Sequence, residues 1–205
     1  FDKRLPYPVY TLEHDRTQLR EQSFKQTYDR NLYLSGGGWG GSEDPRAVKI
    51  DGRVYLTFNV FNNWYSIRVA LISLNERDLE EGRFHWRRVT YLSQPNERHK
   101  NWVLFPEKIG GKFALLHNIY NGDPTRVEVK FLDEVEIPEP LPHFDSADPH
   151  LLPNREIAWH NRTRSAGPPP IKTAHGWLLF YNAMDKDDPA RYKLGALIID
   201  LDDPT

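Results

Sequence analysis

Residues 43–52 read Glu43-Asp44-Pro45-Arg46-Ala47-Val48-Lys49-Ile50-Asp51-Gly52, and this stretch predicts the opening of a β-hairpin. Proline fixes its own φ and keeps the residue before it out of helical geometry. A short strand-like run follows, and Asp-Gly is a strong signal for a two-residue hairpin turn. Asp44 is therefore predicted at the mouth of a hairpin, where a carboxylate is accessible for chemistry. An acid that caps a loop is the alternative interpretation.

Most of the remaining chain also predicts strands, because β-branched and aromatic residues alternate there between turn residues. The expected strands are 53–60, 66–72, 86–92, 112–117, 127–131, 176–181 and 194–199. Helical periodicity is weak, and the best helix candidate, residues 17–30, is polar. The fold class is all-β. An aromatic content of 13% suits sheet packing and sugar-facing surfaces equally.

One hairpin pattern recurs along the chain: a proline, then a lysine, a turn glycine and an apolar strand. The turn glycines of the three copies are Gly52, Gly111 and Gly176. Self-similarity at a spacing of about 60 residues indicates a repeat architecture, and a β-propeller blade with a long loop fits it. Propellers usually have four or more blades, so three copies predict part of a ring. Coincidental hairpin chemistry is the alternative.

Composition excludes several classes of protein. A formal net charge of −2 supplies no field for nucleic acid or an acidic membrane, and no run of around 18 apolar residues predicts a membrane span. The chain has no cysteine, and it lacks zinc-ligand spacing, a nucleotide-binding glycine fingerprint and a serine nucleophile elbow. We therefore expect no metal, no organic cofactor and no nucleic-acid or membrane partner. A cytoplasmic location fits the absence of cysteine.

Four ordered segments resemble the signature of glycoside hydrolase family 130. They are residues 43–52, 100–109, 166–179 and 192–204, and residues 1–42 match poorly. That family consists of β-mannoside phosphorylases and hydrolases on five-bladed β-propellers. The resemblance therefore implies a five-bladed propeller, with residues 1–205 forming a single domain that covers only part of the ring. Residues 137–143, which are punctuated by prolines, are expected to be extended coil between blades.

The resemblance also implies a reaction. In that family the aspartate of the Asp-Pro-Arg motif is the general acid, a role that falls here on Asp44. In the phosphorylases it relays its proton through a mannose hydroxyl to the glycosidic oxygen. Inorganic phosphate, as co-substrate, attacks the anomeric carbon of a β-mannoside oligosaccharide with inversion and gives α-mannose 1-phosphate. The chemistry agrees, because an oxocarbenium-like transition state needs one proton donor and one nucleophile on the opposite face.

A phosphate dianion must be collected by cations, and arginine and lysine do this well. The candidates are Arg46, Arg68, Lys100 and Lys172. Taken singly, each is better interpreted as a solvated charge at a strand end. Matching positions in the family motifs favour the anion-binding interpretation for Arg68 and Lys100. Arg46 is also a candidate for a structural pair with Glu43 or Glu107.

Three further residues are expected to contact substrate or phosphate: Glu107, His117 and Tyr181. A satisfied structural histidine is an equal alternative for His117. The chain departs from the family pattern after two of them. Asn118 stands where arginine is usual, and Asn182-Ala183 stands where phosphorylases commonly read His-Gly. These departures weaken an anion pocket, and a cluster of His160, Arg162 and Arg164 is expected either to compensate or to lie in an exposed loop.

Other activities remain open from the sequence. An inverting hydrolase would need a carboxylate base roughly 6.5–9.5 Å from the acid, and the possible bases are Glu107, Asp145 and Glu156. A transferase with an activated mannose donor and a non-catalytic carbohydrate-binding propeller are further alternatives. An incomplete ring would expose unpaired strand edges. That predicts either a longer native chain or an intimate homo-oligomer.

Overall fold

The structure, a computed structural model, describes residues 40–62, 67–95, 97–119, 126–142, 162–185, 187–188 and 191–204. Within these ranges, strands form three antiparallel sheets, and the regular helical structure is one short α-helix. The predicted all-β class is confirmed for the described residues. The polar helix candidate over residues 17–30 lies outside them.

The first sheet is a meander of four strands that pair in chain order. They are β1 (Gly40–Ile50), β2 (Arg53–Asn62), β3 (Ile67–Asn75) and β4 (Thr90–Tyr91). Asp51 and Gly52 join β1 to β2 with φ angles of 48° and 74°. Two left-handed residues match the twist of the flanking strands, so the turn predicted from Asp-Gly is confirmed. Helix α1 (Glu76–Glu80) follows β3 and is capped by the side chain of Asn75.

The second sheet has three strands in chain order. They are β5 (Val103–Leu104), β6 (Phe113–Ile119) and β7 (Arg126–Leu132). Gly110 and Gly111 turn the chain before β6 with φ angles of 59° and 79°, again the left-handed pair of a hairpin turn. Residues 137–142 carry no strand or helix, as predicted, and His143 lies outside the described residues.

In the third sheet the longest strand pairs with all the others. The strands are β8 (Arg162–Ala166), β9 (Ile171–Thr173), β10 (Gly176–Met184) and β11 (Lys193–Ile199). β8 and β9 pair with opposite ends of β10, and β11 pairs with it throughout. The third hairpin is therefore confirmed. Gly176, however, follows its turn and opens β10, where an added Cβ would lie 2.4 Å from the Ile199 carbonyl oxygen.

The sequence-based prediction of a strand over residues 86–92 was wrong for most of its length, since only Thr90–Tyr91 is a strand. Trp86 and Val89 pack their side chains on a small core at the outer face of the first sheet. The segment containing Arg162 and Arg164, for which an exposed loop was one alternative, is strand β8.

Both faces of strand β6 are buried, which places this strand in the middle of the described structure. Successive side chains of a strand point to opposite faces. Phe113 and Leu115 pack in the core between the first and second sheets, together with Trp102. Ala114 and Leu116 pack in the core between the second and third sheets. The second sheet is therefore the middle layer of three.

The outer face of the third sheet is apolar and open to solvent. Ile171, Leu194 and Ile198 are 51%, 69% and 51% exposed. Ile198 pairs with Leu178, and Leu178 pairs with Ile171, so the three strands contribute to one patch. Large apolar patches of this kind mark surfaces that another element covers.

We expect the core between the second and third sheets to depend strongly on Trp177. Its indole is fully buried, meets Phe105 edge-on at 5.3 Å between ring centroids, and donates to the Leu201 carbonyl. Trp177→Ala should lower the free energy of unfolding by about 3–5 kcal/mol in urea titrations. Leu79→Ala on α1, which removes a 40%-exposed side chain, should change it by less than about 0.5 kcal/mol. Equal effects of the two substitutions would contradict the packing described.

Candidate active site

Asp44 lies at a break in strand β1. The register pairs Glu43 with Asn59 and Arg46 with Thr57, so two residues of β1 face one residue of β2. This β-bulge leaves Asp44 outside the hydrogen-bond ladder with a φ of 53°. Aspartate tolerates left-handed geometry better than most residues. The acid is exposed, as predicted, but it lies within a long strand rather than at a hairpin mouth.

Asn59 connects the acid to the second sheet. Its Nδ2 donates to Asp44 Oδ2 at 3.1 Å and to Asn101 Oδ1 at 3.2 Å. The backbone N–H of Asn101 donates to Asn59 Oδ1 at 3.0 Å. Asn59 is only 1% exposed, so these contacts form beneath the exposed carboxyl group.

Arg46 connects the same bulge to the third sheet. Its Nε donates to the Gly167 carbonyl at 2.9 Å, and a terminal guanidinium nitrogen donates to the Asp44 carbonyl at 2.8 Å. Gly167 follows β8, at the break between β8 and β9, and its own N–H donates to the Phe180 carbonyl. These contacts join the first and third sheets through Arg46, and the expected pair with Glu43 or Glu107 and a role in anion binding stay predictions.

Among the predicted cations, Lys100 lies beside Glu43, the residue that precedes Asp44 in the sequence. Its Nζ lies 3.2 Å from Glu43 Oε1, and its side chain is 18% exposed. The next residue, Asn101, contacts Asn59. Asp44, Lys100 and Glu43 thus occupy one edge of the contact between the first and second sheets.

The structure does not bring Arg68 to the same face of the first sheet. Arg68 pairs with Val60 across the ladder and therefore shares the face of Ala70 and Ile72, opposite to the face that carries Asn59. Its guanidinium lies 3.8 Å from the centre of the Tyr91 ring and donates two hydrogen bonds to the Ser93 carbonyl. Its role in anion binding stays a prediction.

Lys172 and Glu107 form a half-exposed ion pair. Lys172 belongs to β9 and Glu107 follows β5, so this pair joins the second and third sheets at the surface. Surface pairs of this kind contribute little to stability, typically about 0–1 kcal/mol. A role of either residue in binding a ligand stays a prediction.

His117 lies in the protein interior. It is 1% exposed, and its ring meets Trp102 edge-on at 5.4 Å, with Glu128 Oε2 4.0 Å from its Nε2. Burial, followed by the charges of Lys130 and His99, lowers the pKa of His117 from 6.5 to about 3. It is therefore neutral near pH 7. These contacts favour the structural interpretation of His117 over a sugar contact.

Tyr181 is also buried. It is 3% exposed, and its ring fills the space above Gly195, where an added Cβ would lie 2.2 Å from the ring. Burial raises the pKa of Tyr181 above its usual value. The glycine on β11 is therefore required for this tyrosine to pack. Contact of Tyr181 with a ligand stays a prediction.

Several predicted residues cannot be placed. Asp145, Glu156 and His160 lie outside the described residues, and of Arg162 and Arg164 the structure describes only the strand they occupy. Within the described ranges, no group of three or more His, Asp or Glu side chains is arranged to hold a metal ion. No helix in the described part of the chain is long and apolar enough to cross a membrane.

Sequence reasoning missed Asn59 and Asn101. A signal was present, because asparagine is depleted in strands and Asn59 interrupts the predicted strand 53–60. A polar group buried in this way needs hydrogen-bond partners. The sequence does not say which partner across the sheets would satisfy it.

Comparison with known proteins shows similarity to one family of glycoside hydrolases and to named phosphorylases. The profile of the glycoside hydrolase 130 family, described as beta-1,4-mannooligosaccharide phosphorylase, matches residues 34–205. A 1,2-beta-oligomannan phosphorylase of a Thermoanaerobacter species is 34% identical over 166 residues, which is 80% of this chain and 49% of that protein. A beta-1,2-mannobiose phosphorylase of the same genus is 30% identical over 80% of this chain and 48% of that protein.

A solved structure shares the fold. The beta-1,2-mannobiose phosphorylase from Listeria innocua superposes with a TM-score of 0.59 and 25% sequence identity. The match covers 80% of this chain and 42% of that one. The chain thus spans about half the length of the curated relatives it matches.

We expect His117 to make stability depend on pH. Its pKa is lower in the folded state than in the unfolded chain, so the unfolded chain alone gains the proton as pH falls below 6.5. Stability should therefore fall by about 1.4 kcal/mol per pH unit for this group between pH 6.5 and its folded pKa.

Urea unfolding at pH 6.5, 5.5 and 4.5 would measure this contribution. His117→Asn should reduce the slope of stability against pH by the equivalent of one proton. Leu79→Ala, which removes no titratable group, is the control and should leave the slope unchanged. Parallel slopes for the wild type and His117→Asn would overturn the prediction.

Proposed function

Because this chain belongs to glycoside hydrolase family 130, we propose that the protein containing it cleaves β-mannosidic linkages with inversion by phosphorolysis. The observation that carries the proposal is the exposed carboxyl group of Asp44, turned out of β1 at a bulge and held by a hydrogen bond from Asn59. The named phosphorylase activities of the relatives support the reaction class.

Asp44 is the proton donor in the proposed reaction. Asp44 gives its proton through a mannose hydroxyl to the glycosidic oxygen as the bond from that oxygen to the anomeric carbon breaks. An oxygen of inorganic phosphate forms the new bond from the opposite face, which gives α-mannose 1-phosphate and a shortened oligosaccharide. Asp44 then regains a proton from solvent. The nucleophile is the phosphate, so no protein base is required.

Lys100 is the best-placed candidate for a cation near the reacting groups. Its Nζ is held by Glu43, the residue before the acid, and its side chain is largely buried. A partly desolvated ammonium attracts an anion more strongly than an exposed one. Arg68 lies on the other face of the first sheet, and the Lys172 side chain is half exposed to solvent, so their roles in the proposal are secondary.

The proposal also specifies the linkage that the enzyme cleaves. The curated relatives reported above act on β-1,2-linked mannosides by name, whereas the family description names β-1,4-linked oligosaccharides. We propose β-1,2-linked substrates first, because those relatives share 34% and 30% identity with this chain.

Product analysis with the full-length protein on β-1,2- and β-1,4-mannobiose, with and without inorganic phosphate, tests the reaction. We expect mannose 1-phosphate only when phosphate is present. Asp44→Asn should lower turnover by about 10²–10⁴-fold, because an amide cannot supply the proton. Asp51→Asn is the control, since that residue occupies an exposed turn of the same hairpin.

The other outcomes distinguish the alternatives. Free mannose regardless of phosphate would replace phosphorolysis by hydrolysis and require a carboxylate base opposite Asp44. No product with either substrate, or full activity in Asp44→Asn, would contradict the proposed enzyme and favour a carbohydrate-binding protein.

We also propose that the three sheets are blades of a five-bladed β-propeller. Consecutive sheets pack face to face through two apolar cores, as blades do, and the exposed face of the third sheet has the same apolar character. In this arrangement a further sheet covers Ile171, Leu194 and Ile198. The share of the relatives' length that this chain spans supports a larger ring.

The isolated 205-residue chain should therefore behave differently from the full-length protein. We expect the isolated chain to self-associate in sedimentation experiments and to bind a hydrophobic dye, with both effects reduced by Leu194→Glu. The full-length protein should do neither at the same concentration. A stable monomer of the isolated chain that binds no dye would contradict the proposed partial ring.

A further inference from the structure

Asn59 on β2 carries a buried side-chain amide. Its neighbours Phe58 and Val60 are buried, and Asn59 itself is 1% exposed. Burying an amide without partners costs about 1–3 kcal/mol, so its hydrogen bonds must be satisfied. Both Nδ2 hydrogens and the Oδ1 oxygen have partners, on Asp44 and Asn101. The side chain therefore stabilises a defined polar arrangement within the core.

The orientation of the Asn59 amide is fixed by chemistry. A backbone N–H only donates, so the group that faces Asn101 N at 3.0 Å must be the Oδ1 oxygen. If the amide were rotated by half a turn, two donors would face each other, and the Asp44 carboxylate would face an oxygen. Consequently Nδ2 faces Asp44 Oδ2 whatever the ionisation of the acid.

We propose that Asn59 is a positioning residue that determines which oxygen of Asp44 carries the transferable proton. Asp44 Oδ2 accepts from Nδ2–H, and that role leaves Oδ1 as the site of the proton. Among the described residues, the hydrogen bond to the Asp44 carboxyl group comes from Asn59 at Oδ2. This inference rests on the proposed function, in which Asp44 is the general acid.

The anchor of this arrangement comes from the second sheet. Asn101 has a φ of 62°, a left-handed geometry that points its N–H at Asn59. The next residue, Trp102, is fully buried, and its ring meets His99 and His117 edge-on at 5.2 and 5.4 Å. The acid on the first sheet is thus oriented by a residue fixed in the core between two sheets.

Thr57 supplies a matched control for a purely structural role. It lies two residues before Asn59 on β2, is 2% exposed, and its hydroxyl donates to the Trp102 carbonyl at 2.9 Å. Thr57 therefore joins the same two sheets by a buried hydrogen bond. Its hydroxyl makes no contact with the Asp44 carboxyl group in the described structure.

The first test follows the Asn59 side-chain amide by nuclear magnetic resonance in full-length protein carrying ¹⁵N-labelled asparagine. We expect its resonances to move in one step with pH, and this step should vanish in Asp44→Asn but persist in Asp51→Asn. Asn59→Asp identifies the resonances by their loss. The proposal would be wrong if the resonances do not move with pH, or if they move with pH in the same way in Asp44→Asn.

The second test compares the kinetics of Asn59→Leu and Thr57→Val. Asn59→Leu keeps the branched shape of the side chain and removes the hydrogen bond to Asp44 without adding an ionisable group. We expect kcat to fall about 100-fold, as for a misplaced catalytic group, with KM little changed.

Thr57→Val should lower stability without this loss of kcat. If Asn59→Leu retains kcat while stability falls as in Thr57→Val, the role is structural and the proposal is wrong. The resonance test does not depend on turnover. A wild-type protein that yields no product would contradict the proposed function, but the pH dependence of the Asn59 resonances would still show whether Asn59 contacts Asp44.

Discussion

The arrangement of the described chain depends on strand β6 being buried on both faces. Alternate side chains of one strand enter two different cores, so the second sheet is held from both sides at once. Fully burying one such aliphatic or aromatic side chain contributes about 1.5–3 kcal/mol. The first and third sheets are thereby fixed relative to each other through a middle layer, and the contacts of the candidate site that join different sheets rely on that spacing.

The candidate site forms where the strands that begin the first and third hairpins are interrupted. In the first sheet, the bulge at Asp44 and Pro45 turns an acid out of the ladder. In the third sheet, the break between β8 and β9 exposes the Gly167 carbonyl, and Arg46 reaches it from the first sheet. Backbone groups released by interrupted pairing must find other partners. Hydrogen bonds between sheets supply some of those partners, and they hold the acid at the position where the three sheets approach one another.

The polar groups around the acid divide into a rigid interior and an accessible surface. His117 is neutral and packed against Trp102, which in turn follows Asn101, so the interior side contributes geometry rather than charge. Lys100 and Glu43 lie on the accessible side and set the local charge. This division suits a reaction in which one proton donor must keep its orientation while a sugar and an anion enter and leave.

The sequence by itself determined the all-β class, the three hairpins and the turns of the first two. These features are local, because Asp-Pro restricts the backbone, and Asp-Gly and Gly-Gly permit left-handed turns, wherever they occur. The family resemblance, carried by ordered motifs, was confirmed by the match over residues 34–205. Only the tertiary structure decided that Arg46 joins two sheets, that His117 is buried, and that Asn59 meets the acid and Asn101 together. Partners of a side chain across sheets lie far apart in the chain, and their distance is set by packing between layers, which no local pattern of residues encodes.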